Sequence, residues 1–193
     1  MSMRHLYLAG WGYTLVASAV LYRAAQPQRY FEPAAPVPTV AQTGTWFDRV
    51  RPHCNSLEVE LTISSNPPPA DFQGQAYAAA CYALAGKIAR AAERINALNE
   101  AERQQAASIV FEVGHPVADA GDDEAAGPIM QLVIEYLPTH YMALYHAGIA
   151  QYRTGEYDVA RRNLTDFLKY YQQNDGWTNS AQDALRAIAK AGS

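Results

Sequence analysis

Five histidines and one acidic cluster are the residues whose types could support catalysis or metal binding: His5, His53, His115, His140 and His146, with the acidic stretch 119–124. The histidines do not fall at metal-ligand spacing on a shared helix, since His140 and His146 are six residues apart and face different directions. The acidic stretch lacks the register and final Glu of a calcium loop, so it is interpreted as helix capping. No phosphate loop, nucleophile elbow or H-E-x-x-H motif occurs in the sequence. We therefore expect no catalytic residue, no metal site and no cofactor.

The composition narrows the class of protein further. The 193-residue chain has a formal net charge of −4 and no Lys/Arg cluster, whereas a nucleic-acid binder needs a basic face that releases counterions. Hydrophobic residues make up 49 %, which is typical of a folded chain. Cys54 and Cys81 are the only cysteines and form no C-x-x-C motif, so zinc ribbons and covalent haem are unsupported. The sequence predicts a folded protein that does not bind nucleic acid.

A 34-residue period sets the elements that carry these side chains. Gly114 and Gly148 are 34 residues apart, and so are Gly121 and Gly155. A period of this length is typical of stacked helical hairpins, because one hairpin cannot bury its apolar face alone. We therefore predict an all-α solenoid over residues 44–193. Its hairpin units span 72–105, 107–140 and 141–174, and a capping helix spans 179–191.

The same frame, extended backwards, predicts a degenerate unit over residues 44–71. Residues 57–63 alternate like a strand, but no second strand is available to pair with them, so a helix is predicted there. In this frame Cys54 begins the second helix of the degenerate unit, and Cys81 lies late in the first helix of the next. Antiparallel packing would make the two cysteines neighbours, either as a disulfide or as two buried thiols.

The third unit carries the most specific signature. Gly148, Gly155, Tyr157 and Ala160 fall where tetratricopeptide repeats prefer Gly, Gly, Tyr and Ala. Residues 72–174 therefore resemble three tetratricopeptide repeats. The Trp that begins the motif is missing, and its positions are taken by Gln75, Val110 and Leu144. The resemblance implies a protein-binding solenoid whose first helices line a concave groove.

The predicted groove is apolar and aromatic. In this frame it is lined by Phe111, His115, Met142, Tyr145, Ile149 and Tyr152. Repeats that grip a terminal carboxylate place Lys, Asn and Arg there, so that function is not carried over. An apolar, Tyr-rich groove suits a stable docking contact or a partner's helix. The alternative is that these tyrosines pack against the capping helix.

The N-terminal segment is predicted to be a membrane anchor over residues 1–23. Residues 5–22 contain no charged side chain and, at about 1.5 Å per residue, reach roughly 27 Å, enough to cross a bilayer core. Tyr7, Trp11 and Tyr22 are rings expected near membrane interfaces. Two alternatives remain: a signal peptide cleaved after the Ala-Ser-Ala stretch 17–19, and a buried soluble helix.

A linker over residues 24–43 follows the predicted anchor. Its four prolines forbid a regular helix and favour an extended polyproline geometry. Such a segment is either a spacer that lifts the repeat domain off the membrane or a strap that lies across a partner.

Together these parts predict a non-enzymatic, single-pass scaffold of the bacterial inner membrane, with the bulk of the chain in the periplasm. Its expected partners are the lipid bilayer and protein subunits of an integral membrane complex. Residues 46–55 and 67–69 resemble repeat proteins of gemmatimonad-type bacteria, whose phototrophs carry scaffold polypeptides around the photosynthetic reaction centre and its light-harvesting ring. That resemblance implies an accessory subunit of such a complex. The alternative is a periplasmic adaptor that binds client peptides during envelope assembly or secretion.

Overall fold

The computed structural model describes residues 45–192, and this part of the chain is entirely helical. The all-α prediction is confirmed there, because no strand occurs within these residues. The predicted anchor (1–23), its interface rings Tyr7, Trp11 and Tyr22, and the linker (24–43) lie outside the described residues. Among the described helices, none combines the length and the apolar character needed to cross a membrane.

The helices follow one another with short connections. In chain order they are α1 (Thr45–Val50), α2 (Val59–Ser65), α3 (Phe72–Leu84), α4 (Ile88–Asn96), α5 (Glu100–Asp119), α6 (Asp123–Tyr136), α7 (Tyr141–Thr154), α8 (Tyr157–Tyr170) and α9 (Gly176–Ala191). A 3₁₀ turn at Arg51–His53 follows α1. The helix predicted for the alternating stretch 57–63 is confirmed by α2, which buries Val59 and Ile63 one turn apart.

Helices α3 to α8 form three consecutive hairpins, α3–α4, α5–α6 and α7–α8. The first helices α3 and α5 pack side by side, α6 packs on α7, and α9 packs on both α7 and α8. One apolar core runs from α1 to the start of α7, and a second lies among α7, α8 and α9.

The 34-residue glycine pairs occupy equivalent positions in the second and third hairpins. Gly121 and Gly155 have φ angles of +82° and +83°, the left-handed conformation that follows the first helix of each hairpin. Gly114 and Gly148 face the second helix so closely that an added Cβ would lie 2.6 and 2.7 Å from its side chains. The period therefore records a turn and a close helix contact in each hairpin.

The second hairpin begins earlier than the predicted unit. Helix α5 starts at Glu100, so the predicted boundary between residues 105 and 107 falls inside a helix. The reason is a capping box: the Asn99 side chain accepts a hydrogen bond from the Glu102 backbone N–H, and the Glu102 side chain accepts one from Asn99. Two otherwise unsatisfied donors are paired at that end, which fixes the start of α5.

The predicted degenerate unit consists of two short helices that are covalently linked to α3. Cys54 lies in the loop after the 3₁₀ turn and does not begin a helix as predicted, since α2 starts only at Val59. A disulfide joins it to Cys81 in the middle of the buried face of α3. The indole N–H of Trp46 donates to the carbonyl of Asn66 at 3.0 Å, which closes α1 onto the end of α2.

Candidate functional site

Two histidines from different hairpins meet near the end of α5. His115 and Asp119 are one turn apart on α5 and share a face, and His146 lies on α7. The Nε2 atoms of His115 and His146 are 3.1 Å apart. Oδ1 of Asp119 is 3.5 Å from Nε2 of His115 and 4.0 Å from that of His146. We call these three residues the histidine–aspartate cluster.

The sequence expectation of no metal-ligand arrangement considered spacing within a single helix, whereas this cluster crosses two helices. In a solenoid, residues one period apart lie side by side on neighbouring repeats. His115 and His146 are 31 residues apart, which is one helical turn short of the 34-residue period. Comparing histidine separations with the period would have found the pair.

Burial sets the charge state of the inner histidine. The side chain of His146 is 5 % exposed, while those of His115 and Asp119 are 27 % and 52 % exposed. Burial lowers the pKa of His146 to about 4; nearby His115 lowers it further, and Asp119 opposes the shift. His146 is therefore neutral at pH 7, so its Nε2 can accept a hydrogen bond or bind a metal ion.

The cluster opens into a cavity of about 170 Å³ between α5, α7 and α9. Asp119 and His146 line one side of it, and Trp177 of α9 lines another. The remaining charged groups of the wall, Asp123 and Arg153, form an ion pair with each other. Since Asp123 is nearly buried, this pairing compensates its charge and leaves the half-exposed carboxylate of Asp119 facing the histidines.

A row of five partly exposed rings begins at the cluster, and we call it the aromatic strip. Its members are His115, Phe111, His140, Tyr141 and Tyr171, in that order. Successive ring centroids are 4.7, 4.1, 6.2 and 5.1 Å apart. The strip runs from α5 across the start of α7 to the end of α8, so it spans two hairpins.

Local bonds hold the far members of the strip in place. Nδ1 of His140 accepts a hydrogen bond from the backbone N–H of Ala143 and so caps α7. The Tyr171 hydroxyl donates to Asp175, a hydrogen bond that raises the pKa of Tyr171 to about 12. Both rings are thus fixed before any partner arrives.

The predicted groove does not form one continuous surface, because α9 covers part of it. Tyr145 and Ile149 are 9 % and 8 % exposed and belong to the core that α9 completes. The Tyr145 hydroxyl donates to Oγ of Ser180 at 3.0 Å, and its ring meets the edge of Trp177 at 4.8 Å. At this position the structure has the alternative arrangement, in which a groove tyrosine packs against the capping helix.

The other four predicted groove residues are divided between two places. Phe111 and His115 lie in the aromatic strip. Tyr152 is half-buried beside a second cavity between α7 and α9, and its ring centroid is 6.1 Å from that of Tyr157. Met142 is half-buried near the start of α7. Only the first pair therefore remains on an open first-helix face.

The described residues thus define a class of protein: an all-helical stack of hairpins with an aromatic strip and a histidine–aspartate cluster on its first helices. Comparison of the chain with known protein families, curated proteins and solved structures finds no match in any of the three.

Proposed function

We propose that this chain is a non-enzymatic, membrane-anchored scaffold with tetratricopeptide-like repeats. In this proposal it is an accessory subunit that stabilises a multi-subunit complex of the bacterial inner membrane. The observation that carries the proposal is the aromatic strip. Five adjoining rings, all partly exposed, lie on one face of two hairpins. Aromatic side chains are enriched in the cores of protein interfaces because they bury a large area with few rotatable bonds.

The rigidity of the strip supports a stable contact over a transient one. Ordering flexible side chains costs roughly 0.5–1.5 kcal/mol each on binding. Stacking among the rings and the bonds of His140 and Tyr171 meet part of that cost in the free protein. A preorganised apolar surface of this kind suits a partner that stays bound.

The compartment is proposed from the disulfide and the sequence together. A buried disulfide between Cys54 and Cys81 supports an oxidising compartment such as the periplasm. Residues 1–23 and 24–43 would then serve as single-pass anchor and strap, with the lipid bilayer and integral membrane subunits as partners. A photosynthetic reaction centre with its antenna is the complex that the sequence resemblance suggests.

The experiment is purification of the full-length chain from its own membranes in mild detergent. We expect stoichiometric co-purification with an integral membrane complex. The double variant Phe111→Ala/Tyr141→Ala should be lost from that complex, whereas Tyr157→Ala should remain bound, because Tyr157 is 41 % exposed but lies outside the strip. Recovery of the parent chain alone and monomeric would refute the scaffold. Weak, exchangeable capture of many peptides would support the adaptor instead.

A further inference from the structure

We propose that the histidine–aspartate cluster binds a divalent first-row transition-metal ion. The geometry of its three donor atoms is the first reason. Their separations of 3.1, 3.5 and 4.0 Å define a triangle. The circle through its corners has a radius of about 2.1 Å, which matches Zn–N and Zn–O distances of about 2.0–2.2 Å. One ion at the centre would therefore reach all three atoms without any helix moving.

The donor set is the second reason. Two imidazole nitrogens and one carboxylate oxygen suit Zn²⁺, Co²⁺, Ni²⁺ and similar ions, whereas Ca²⁺ and Mg²⁺ prefer oxygen ligands alone. The three donor atoms come from different side chains and converge on one point. Metal ions of this class bind imidazole in its neutral form, and the burial of His146 favours that form.

The surroundings hold the ligands ready for an ion. The ring of His115 stacks on Phe111 at 4.7 Å, and the ring of His146 meets the edges of Tyr145 and Trp177 at 5.2 and 5.6 Å. Asp119 is the last residue of α5, where the negative end of the helix dipole favours a cation. The only other charged groups on the cavity wall, Asp123 and Arg153, neutralise each other.

Three protein ligands leave a coordination position free, and the adjoining cavity gives water access to it. A closed structural zinc site has four protein ligands, so this ion is expected to be exchangeable and not required for folding. When no ion is bound, a hydrogen bond between the two Nε2 atoms satisfies the histidines. Binding would replace that bond with a metal link between α5 and α7, the first helices of two consecutive hairpins.

The test uses the full-length chain without a polyhistidine tag, stripped with a chelator and dialysed. Titration with Zn²⁺ by calorimetry should show one saturable site per chain, and Co²⁺ should give visible absorption bands characteristic of nitrogen and oxygen ligands. Circular dichroism of the stripped chain should keep its helical signal, since the fold does not depend on the ion.

Variants decide whether the cluster is the site. Asp119→Asn and His115→Ala should each weaken Zn²⁺ binding at least roughly tenfold, since loss of even an outer-shell partner costs about 10–100-fold. Asp119 is half-exposed, so its variant is expected to fold normally. His53→Ala is the matched control, because His53 is also half-exposed but pairs with Glu58 away from the cluster. Absence of saturable binding in the parent, or parent-like affinity in Asp119→Asn, would overturn the proposal.

Discussion

Removing the Cys54–Cys81 disulfide should destabilise the domain mainly through the unfolded chain. The bond joins residues 27 positions apart. Closing a loop of that length removes conformational entropy worth about 3.5 kcal/mol at 25 °C in the chain-entropy treatment. In a domain of this size, each kcal/mol moves the unfolding midpoint by roughly 2–4 °C, so reduction should lower it by about 7–14 °C.

The native contacts around the bond do not replace this effect. Trp46 and Val59 are buried, and α1 remains hydrogen-bonded to the end of α2. These contacts stabilise the folded state whether or not the bond is present, whereas the bond restricts the unfolded ensemble. The loss should therefore appear even if the reduced protein keeps its native helical content.

The assay is urea unfolding followed by circular dichroism, on the parent and on the Cys54→Ala/Cys81→Ala variant, each with and without reductant. Reductant should lower the free energy of unfolding of the parent and leave that of the variant unchanged. Backbone amides of α1 and α2 should also exchange faster in the reduced parent. A change in the parent below about 1 kcal/mol would contradict the loop-entropy reasoning.

Three further substitutions test the fold. Gly148→Ala places a Cβ 2.7 Å from Leu164 and should cost about 1–3 kcal/mol in urea unfolding, while Gly176→Ala, with no atom within 4 Å, should change stability by less than about 0.5 kcal/mol; equal costs would contradict the close contact. Asn99→Ala should lose about 1 kcal/mol by the same measurement, because it removes the cap of α5, and a neutral result would count against the capping box. Burial lowers the pKa of His140 below 6.5, so the unfolded chain binds the proton more readily and stability should fall as the pH drops below 6.5; His140→Asn, which can still cap the helix, should show a shallower fall in thermal unfolding across pH 4–8, and an unchanged profile would refute this cause.

The hairpin stack could be predicted because one residue type fulfils two backbone requirements at a fixed interval. Gly121 and Gly155 provide the turns, while Gly114 and Gly148 allow the close helix contacts. Both requirements recur with each hairpin, so they leave a visible period in the sequence. The start of α5 was also available from the sequence, since Asn99 and Glu102 have the spacing of a capping box. The repeat frame was placed at residue 107 without using it.

Packing between hairpins could not be predicted in the same way. A period gives the order of the helices but not how the final helix lies across the preceding pair. The groove was expected to stay open at Tyr145 and Ile149, and α9 covers both. The histidine–aspartate cluster was missed for a related reason, since its ligands come from adjacent hairpins and their proximity depends on the stagger between α5 and α7.

The position of Trp177 gives the protein a built-in optical reporter. Trp177 is 36 % exposed, and its ring centroid lies 5.6 Å from that of His146, whereas Trp46 is 7 % exposed and lies at the other end of the domain. Indole emission shifts with exposure to water, and imidazolium groups and paramagnetic ions quench it at short range. The emission of the two tryptophans should therefore separate into a buried component that reports unfolding near α1 and a red-shifted component that reports the docking of α9. A chain with Trp177→Phe would isolate the first component, so the two ends of one small domain could be followed separately without any added label.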